Sequence, residues 1–344
     1  MAEVTLVGAV TQALGRAMEE DDLAVILGED VGVNGGVFRA TDGLLARFGA
    51  ERVIDSPLAE AGIAGTAIGM AGAGLHPIAE FQFMGFLYAG LDQIISHAAR
   101  LRNRTRGRLS CPAVFRAPYG GGIHGPEHHS ESTEAMLAHI PGLRVVIPSS
   151  PVRAYGLLLA AIRDPDPVVF LEPKRIYRTV KQDVPDDGQA LSLDMAFTLR
   201  EGSDITLITW GAMVTETMAA ANALAAAGIE AEVIDVATLT PLDEATILAS
   251  VEKTGRCVII HEAAYTGGFG AEIAARIAEK SLMSLMAPVV RVTGYDTVIP
   301  AARTEHRYLI SERRIIEAAR RAVAFPDEPA EEQFDTGDNE RGAA

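Results

Sequence analysis

Apolar residues recur at Leu6, Val10, Leu14 and Met18, and the charged run Glu19-Glu20-Asp21-Asp22 closes the pattern. Four-residue spacing of this kind is the one-sided stripe of an amphipathic helix. The next apolar run, Ala24-Val-Ile-Leu, is short and unbroken and leads into the loop Gly28-Glu-Asp-Val-Gly. It reads as a strand buried on both faces. Further strands are predicted at 52–55, 76–82, 113–116, 144–147 and 167–171, with a Gly/Ala-rich helix over 58–74 and a long helix over 87–106. Short apolar strands separated by helices predict a parallel sheet covered on both sides.

From residue 176 the rhythm lapses and Asp, Pro, Gly and Lys dominate, which predicts a linker over 176–198. The alternation then restarts, with strands at 204–209, 231–235, 257–260 and 289–292 and helices at 214–227, 242–251, 271–282 and 312–324. The expected fold class is therefore α/β: two three-layer domains with mainly parallel sheets, over 1–175 and 199–325. The stretch 326–344 holds seven acids against one Arg beyond Pro326 and almost no apolar residue, so it is expected to be a disordered acidic tail.

Composition narrows the function classes. A length of 344 residues suits about two domains of roughly 150 residues each. Aromatic residues make up only 6% against 48% hydrophobic residues overall, so the cores are expected to be built from Ala, Val, Ile and Leu. A formal charge of −16 argues against nucleic acid or an anionic membrane as partner. Cys111 and Cys257 lie far apart beside apolar runs, the pattern of buried free thiols. No basic-then-apolar leader and no run of 18 apolar residues is present, so a cytoplasmic location is expected.

Two segments carry candidate chemistry. In Ser56-Pro-Leu-Ala-Glu60, a carboxylate stands at the mouth of an apolar helix, and glycines at 62, 65 and 69 open one helix face to close approach by another backbone. Glu60 is either half of a capping box with Ser56 or a partly desolvated acid–base group. In Tyr119-Gly-Gly-Gly-Ile-His124-Gly-Pro-Glu-His128-His129-Ser-Glu-Ser, a glycine loop feeds three histidines and two carboxylates. That composition suits proton transfer, with zinc ligation or plain solvated histidines as rivals. Thr266-Gly-Gly-Phe-Gly-Ala-Glu reads better as a helix start than as a phosphate loop, and neither a P-loop nor a Gly-x-Ser-x-Gly elbow occurs.

Over roughly residues 4–325 the chain resembles the β subunits of the thiamine-dependent 2-oxo acid dehydrogenases of pyruvate, branched-chain and acetoin type. The resemblance is carried by Gly28-Glu-Asp-Val-Gly, Asp55-Ser-Pro-Leu-Ala-Glu60-Ala-Gly-Ile-Ala-Gly, Glu80-Phe-Gln-Phe, Asp92-Gln-Ile, His129-Ser-Glu-Ser and Pro141-Gly-Leu-Arg-Val-Val-Ile-Pro. It continues through Asp164-Pro-Asp-Pro-Val, Thr240-Pro-Leu-Asp and Thr266-Gly-Gly-Phe-Gly-Ala-Glu-Ile.

The resemblance implies a transketolase-like pair of domains and a thiamine diphosphate site shared with an α subunit, two α and two β in all. Glu60 matches the glutamate that hydrogen-bonds a cofactor pyrimidine nitrogen, and so promotes loss of the thiazolium proton. His129 matches the histidine placed near acyl transfer to a lipoyl group on an acyltransferase core. Gln82, Phe86 and Glu29 match cofactor-pocket positions, with Phe86 where an aromatic stacks on the pyrimidine. Asp164 and Asp166 fall where some members bind potassium. No Gly-Asp-Gly is present, so magnesium and the diphosphate are expected on the α subunit. The run Ile299-Pro-Ala-Ala-Arg-Thr-Glu-His departs from the family's aromatic and acidic pattern near position 300. An acetoin-cleaving enzyme shares the cofactor, and a non-catalytic scaffold paralogue is disfavoured by the joint presence of Glu60, Gln82 and His129. A nucleotide-binding electron-transfer subunit lacks its phosphate fingerprints.

Overall fold

A computed structural model describes residues 3–326. Thr5 caps the first helix, Leu6–Glu20, by accepting from the Gly8 amide. The predicted stripe buries Leu6, Val10, Leu14 and Met18 in a core shared with Ala154, Leu157, Leu158 and Ala161 of helix Pro151–Arg163. That second helix is missing from the sequence-level expectation, although Ser150 caps it and Pro151 starts it.

Seven strands form the first sheet, in the order Thr238–Thr240, Arg144–Val146, Val168–Pro173, Val114–Tyr119, His76–Glu80, Ala24–Gly28, Val53–Asp55. All neighbours are parallel except the Thr238–Thr240 pair, which runs antiparallel to Arg144–Val146. The second sheet has five strands, in the order Val290–Gly294, Cys257–Ala264, Ile205–Thr209, Ala231–Asp235, Phe197–Arg200. Only Phe197–Arg200, an edge strand, is antiparallel there. Fully buried Val, Ile and Leu along the inner strands are what two-sided cover requires. The expected α/β class with mainly parallel sheets is what the chain adopts.

One predicted element is corrected. The single helix over 87–106 is four short pieces: Phe86–Gly90 and Ala98–Arg100 are 3-10 turns, and Leu91–Ser96 and Leu101–Arg104 are α-helical. His97, at φ −120° and ψ −62°, interrupts the ladder. Gly90 brings the chain against the carbonyl of Glu60, where an added Cβ would lie 3.1 Å from that oxygen. Packing against the neighbouring helix overrides local helix preference here. Among the described residues no helix is long and apolar enough to cross a membrane, and both cysteines are free and buried. The expected acidic tail lies, beyond Pro326, outside the described residues.

Candidate functional site at the carboxyl edge of the first sheet

Ligand sites of parallel sheets form beyond the carboxyl ends of the strands, and the expected residues gather there. Glu29 follows Ala24–Gly28, Glu60 follows Val53–Asp55, Gln82 and Phe86 follow His76–Glu80, and the histidine loop follows Val114–Tyr119. Backbone ties hold these strand ends in place. The Asp55 carboxylate accepts from Gly32 N at 2.6 Å and Val33 N at 3.1 Å, and Ser56 N donates to Gly28 O at 2.9 Å.

Glu60 is the first residue of helix Glu60–Gly72, half-buried. The capping-box reading fails: Ala59 is the N-cap and makes no side-chain cap bond, while the Ser56 hydroxyl is buried without a partner. Among the described residues no ion pair engages the Glu60 carboxylate. Glu29 lies close enough to feel it, since burial first, then the charges of Asp30 and Glu60, raise the Glu29 carboxyl above its usual range. Gln82 is half-buried beside this pair's strand ends.

Phe83, Phe86 and His129 form an aromatic corner. His129 packs edge-on at 4.5 Å from Phe83 and 5.2 Å from Phe86, and the two phenylalanines are 5.3 Å apart. His129 Nδ1 lies 3.0 Å from the Pro126 carbonyl, an approach that requires a proton on Nδ1. Nε2 is therefore the nitrogen that this contact leaves free. Gly85 is obligatory beneath this corner, because a Cβ there would sit 2.4 Å from the carbonyl oxygen of His128.

Asp164 and Asp166 lie at the opposite edge of the sheet, before strand Val168–Pro173. Asp164 pairs with Arg144 at 2.9 Å and accepts from Asp166 N at 2.8 Å, and Asp166 pairs with Arg102 at 2.6 Å. Both carboxylates are paired with arginines in this structure. The expected zinc alternative finds no cluster of three His, Cys, Asp or Glu among the described residues.

Several charged residues that the sequence reading missed stand behind the histidine loop. Glu134, fully buried, accepts from Trp210 Nε1 at 3.3 Å, and its burial raises the carboxyl to about 7. Lys174 donates to the Gly120 carbonyl, and its burial lowers the ammonium to about 8 against the pull of Glu262 and Glu305. Below them Arg116 bridges Glu80 at 2.8 Å and Glu172 at 2.7 Å, with Tyr177 donating to Glu172 at 2.6 Å. Nothing in the local pattern of residues 172–174 or 134 marks them as interior.

Comparison with known proteins agrees with this fold. Family models for the transketolase pyrimidine-binding domain and the transketolase C-terminal domain match residues 2–180 and 195–315. The chain is 47% identical over 325 residues to a protein of Bacillus subtilis (strain 168) named pyruvate dehydrogenase E1 component subunit beta, covering 94% of this chain and all of that one. It is 49% identical over 315 residues to the protein of the same name from Acholeplasma laidlawii, covering 92% and 96% of the two chains. A solved structure described as a split gene transketolase, inactive beta4 tetramer, superposes with a TM-score of 0.78 over 94% of this chain and 99% of that chain, at 23% identity. That last likeness is one of fold.

Proposed function

The chain belongs to the β-subunit family of the thiamine diphosphate-dependent 2-oxo acid dehydrogenases, and from that premise we propose that its substrate is pyruvate and that Glu60 and His129 carry its chemistry. The observation that carries the reading is the convergence of Glu60, Gln82, Phe86 and His129 at one sheet edge. These residues fit one end of the cofactor: an ion-pair-free carboxylate at a helix start, beside an aromatic corner and a buried hydroxyl without a partner. When bound, thiamine diphosphate supplies the electron sink that lets a 2-oxo acid lose carbon dioxide.

The chain's own residues then have separate tasks. Glu60 would hold a hydrogen bond to a pyrimidine nitrogen, next to Glu29, whose carboxyl feels its charge. Phe86 would offer an apolar face to the ring, and Gln82 would orient polar substituents. His129, with Nδ1–H committed to Pro126, would act in its imidazolium form, its Nε2–H giving the proton taken up by the lipoyl sulfur released as the disulfide opens. The diphosphate and magnesium are assigned to an α subunit, with two α and two β chains, because no Gly-Asp-Gly occurs here. A lipoyl acyltransferase core is the acyl acceptor. A cytoplasmic setting accords with two free buried thiols.

Co-expression with an α-type subunit, followed by decarboxylation assays on pyruvate, branched 2-oxo acids and acetoin, tests this reading. Pyruvate should be turned over fastest, and Glu60→Gln should remove decarboxylation while the complex still assembles. Full activity in that variant would refute the role of Glu60. His129→Ala should lose more lipoyl acetylation than dye-coupled decarboxylation, and equal losses would refute the role of His129.

A further inference from the structure

The loop that carries His129 is closed on itself. Gly120 N donates to Glu131 O at 2.9 Å, Ser130 Oγ to Gly125 O at 2.6 Å, and His129 N to Pro126 O at 3.0 Å. A Cβ on Gly125 would lie 2.8 Å from the His129 Cβ, so the two ends of the loop touch. A displacement of residues 120–125 must therefore move His129.

Two carboxylates from the far half of the chain grip those residues. Glu305 Oε1 accepts from Gly122 N at 2.7 Å, and Oε2 accepts from His124 N at 3.1 Å and faces His124 Nδ1 at 2.6 Å. Glu262 accepts from Gly121 N, and from the Ser132 hydroxyl at 3.3 Å. Positive φ at Gly120 (83°), Gly122 (85°) and His124 (62°) turns these amides inward into a nest, a concavity built for an anion. Glu262 reaches it because its strand shifts register between His261 and Ala264, a bulge that re-aims the side chain. Glu262 is 5% and Glu305 1% exposed, and both charges act on buried Lys174 and half-buried Arg175.

We propose that Glu305 and Glu262 are positioning residues for acyl transfer: from the second sheet's side they clamp the glycine loop and so fix His129 against Phe83 and Phe86. This rests on the reading of His129 given above. The clamp couples placement of the transfer residue to the docking of one half of the chain on the other.

The test uses the assembled α-containing complex, with a free lipoyl-bearing domain as acceptor in one assay and the dye 2,6-dichlorophenolindophenol in the other. Glu305→Ala should lower the ratio of lipoyl acetylation to dye reduction about tenfold, roughly 1.4 kcal/mol of transition-state stabilisation. Glu305→Gln, which keeps one acceptor oxygen, should recover part of that ratio. Hydrogen exchange should quicken in the peptide covering 120–131 and nowhere remote from it. His129→Ala alone and combined with Glu305→Ala completes the set, and the double variant should be no worse than His129→Ala. If Glu305→Ala disrupts assembly, Glu305→Gln carries the same comparison. An unchanged ratio, additive losses in the double variant, or unchanged exchange overturns the clamp even when His129→Ala shows its selective loss. If His129→Ala shows no selective loss, the reading of His129 fails and the clamp's role in transfer falls with it.

Discussion

Replacing Glu134 by Gln should change the way stability depends on pH. Burial raises the Glu134 carboxyl from 4.5 to about 7 in the folded chain. Its folded value exceeds its unfolded one, so the folded state holds the proton more tightly between these limits. The stabilisation from that proton is full below about pH 4.5 and is lost as pH rises through about 7. A difference of about 2.5 units at 1.36 kcal/mol each sets a ceiling of about 3 kcal/mol. Between pH 5 and pH 8 the loss works out at about 2.5 kcal/mol. Gln cannot ionise, keeps the oxygen that accepts from Trp210 Nε1, and abolishes this loss while bringing a pH-independent penalty for its buried amide hydrogens. The variant's Tm relative to the unaltered chain should therefore rise by about 3.5 °C from pH 5 to pH 8, taking ~2 cal/mol/K per residue for the unfolding entropy. Differential scanning calorimetry at four pH values in matched ionic strength reads it. A Tm difference that stays flat across that range would mean Glu134 is not protonated in the fold at neutral pH.

Other perturbations have simpler readouts. Arg116→Met leaves Glu80 and Glu172 buried without their shared cation, and about 3–5 kcal/mol of stability should be lost by urea unfolding. Gly142→Ala places a Cβ 2.1 Å from the Ala99 carbonyl oxygen at φ 96°, so expression of folded chain should drop sharply, whereas the open, left-handed Gly74→Ala (φ 95°) should be milder. Burial raises the Cys111 thiol to about 12 and the Cys257 thiol further still, so neither should react with Ellman's reagent until the chain unfolds.

The parallel strands of both sheets were legible because each is a run of apolar residues with a glycine or charged loop behind it, whereas the antiparallel edge strands Phe197–Arg200 and Thr238–Thr240 were not. Ala24–Gly28 and Ala231–Asp235 are cases where period and boundary agree. Glu60 and His129 were legible through ordered motifs, whose residues lie at successive strand ends and so converge once the sheet forms. Helix Pro151–Arg163 carries its cap in Ser150 and Pro151, but its apolar content reads equally as an interior strand. The broken segment after Phe86 is set by contact with Glu60 and Ala64, which no local window contains. Glu262 and Glu305 were illegible for a further reason. Their partners are amides 141 to 183 residues away in sequence, and a backbone amide leaves no mark in side-chain composition. Glu305 even lies in the run that departs from the family pattern.

The antiparallel strand Thr238–Thr240 completes an edge of the first sheet although it follows three strands of the second in the chain. A ribosome making this protein must therefore release the first sheet unfinished. Its open border beside Arg144–Val146 stays bare until nearly one hundred further residues have been synthesised. Fragments ending anywhere between residues 180 and 237 should expose that border and self-associate. The two halves are thus stitched during synthesis, and neither should be obtainable as a clean separate piece by cutting the chain between them.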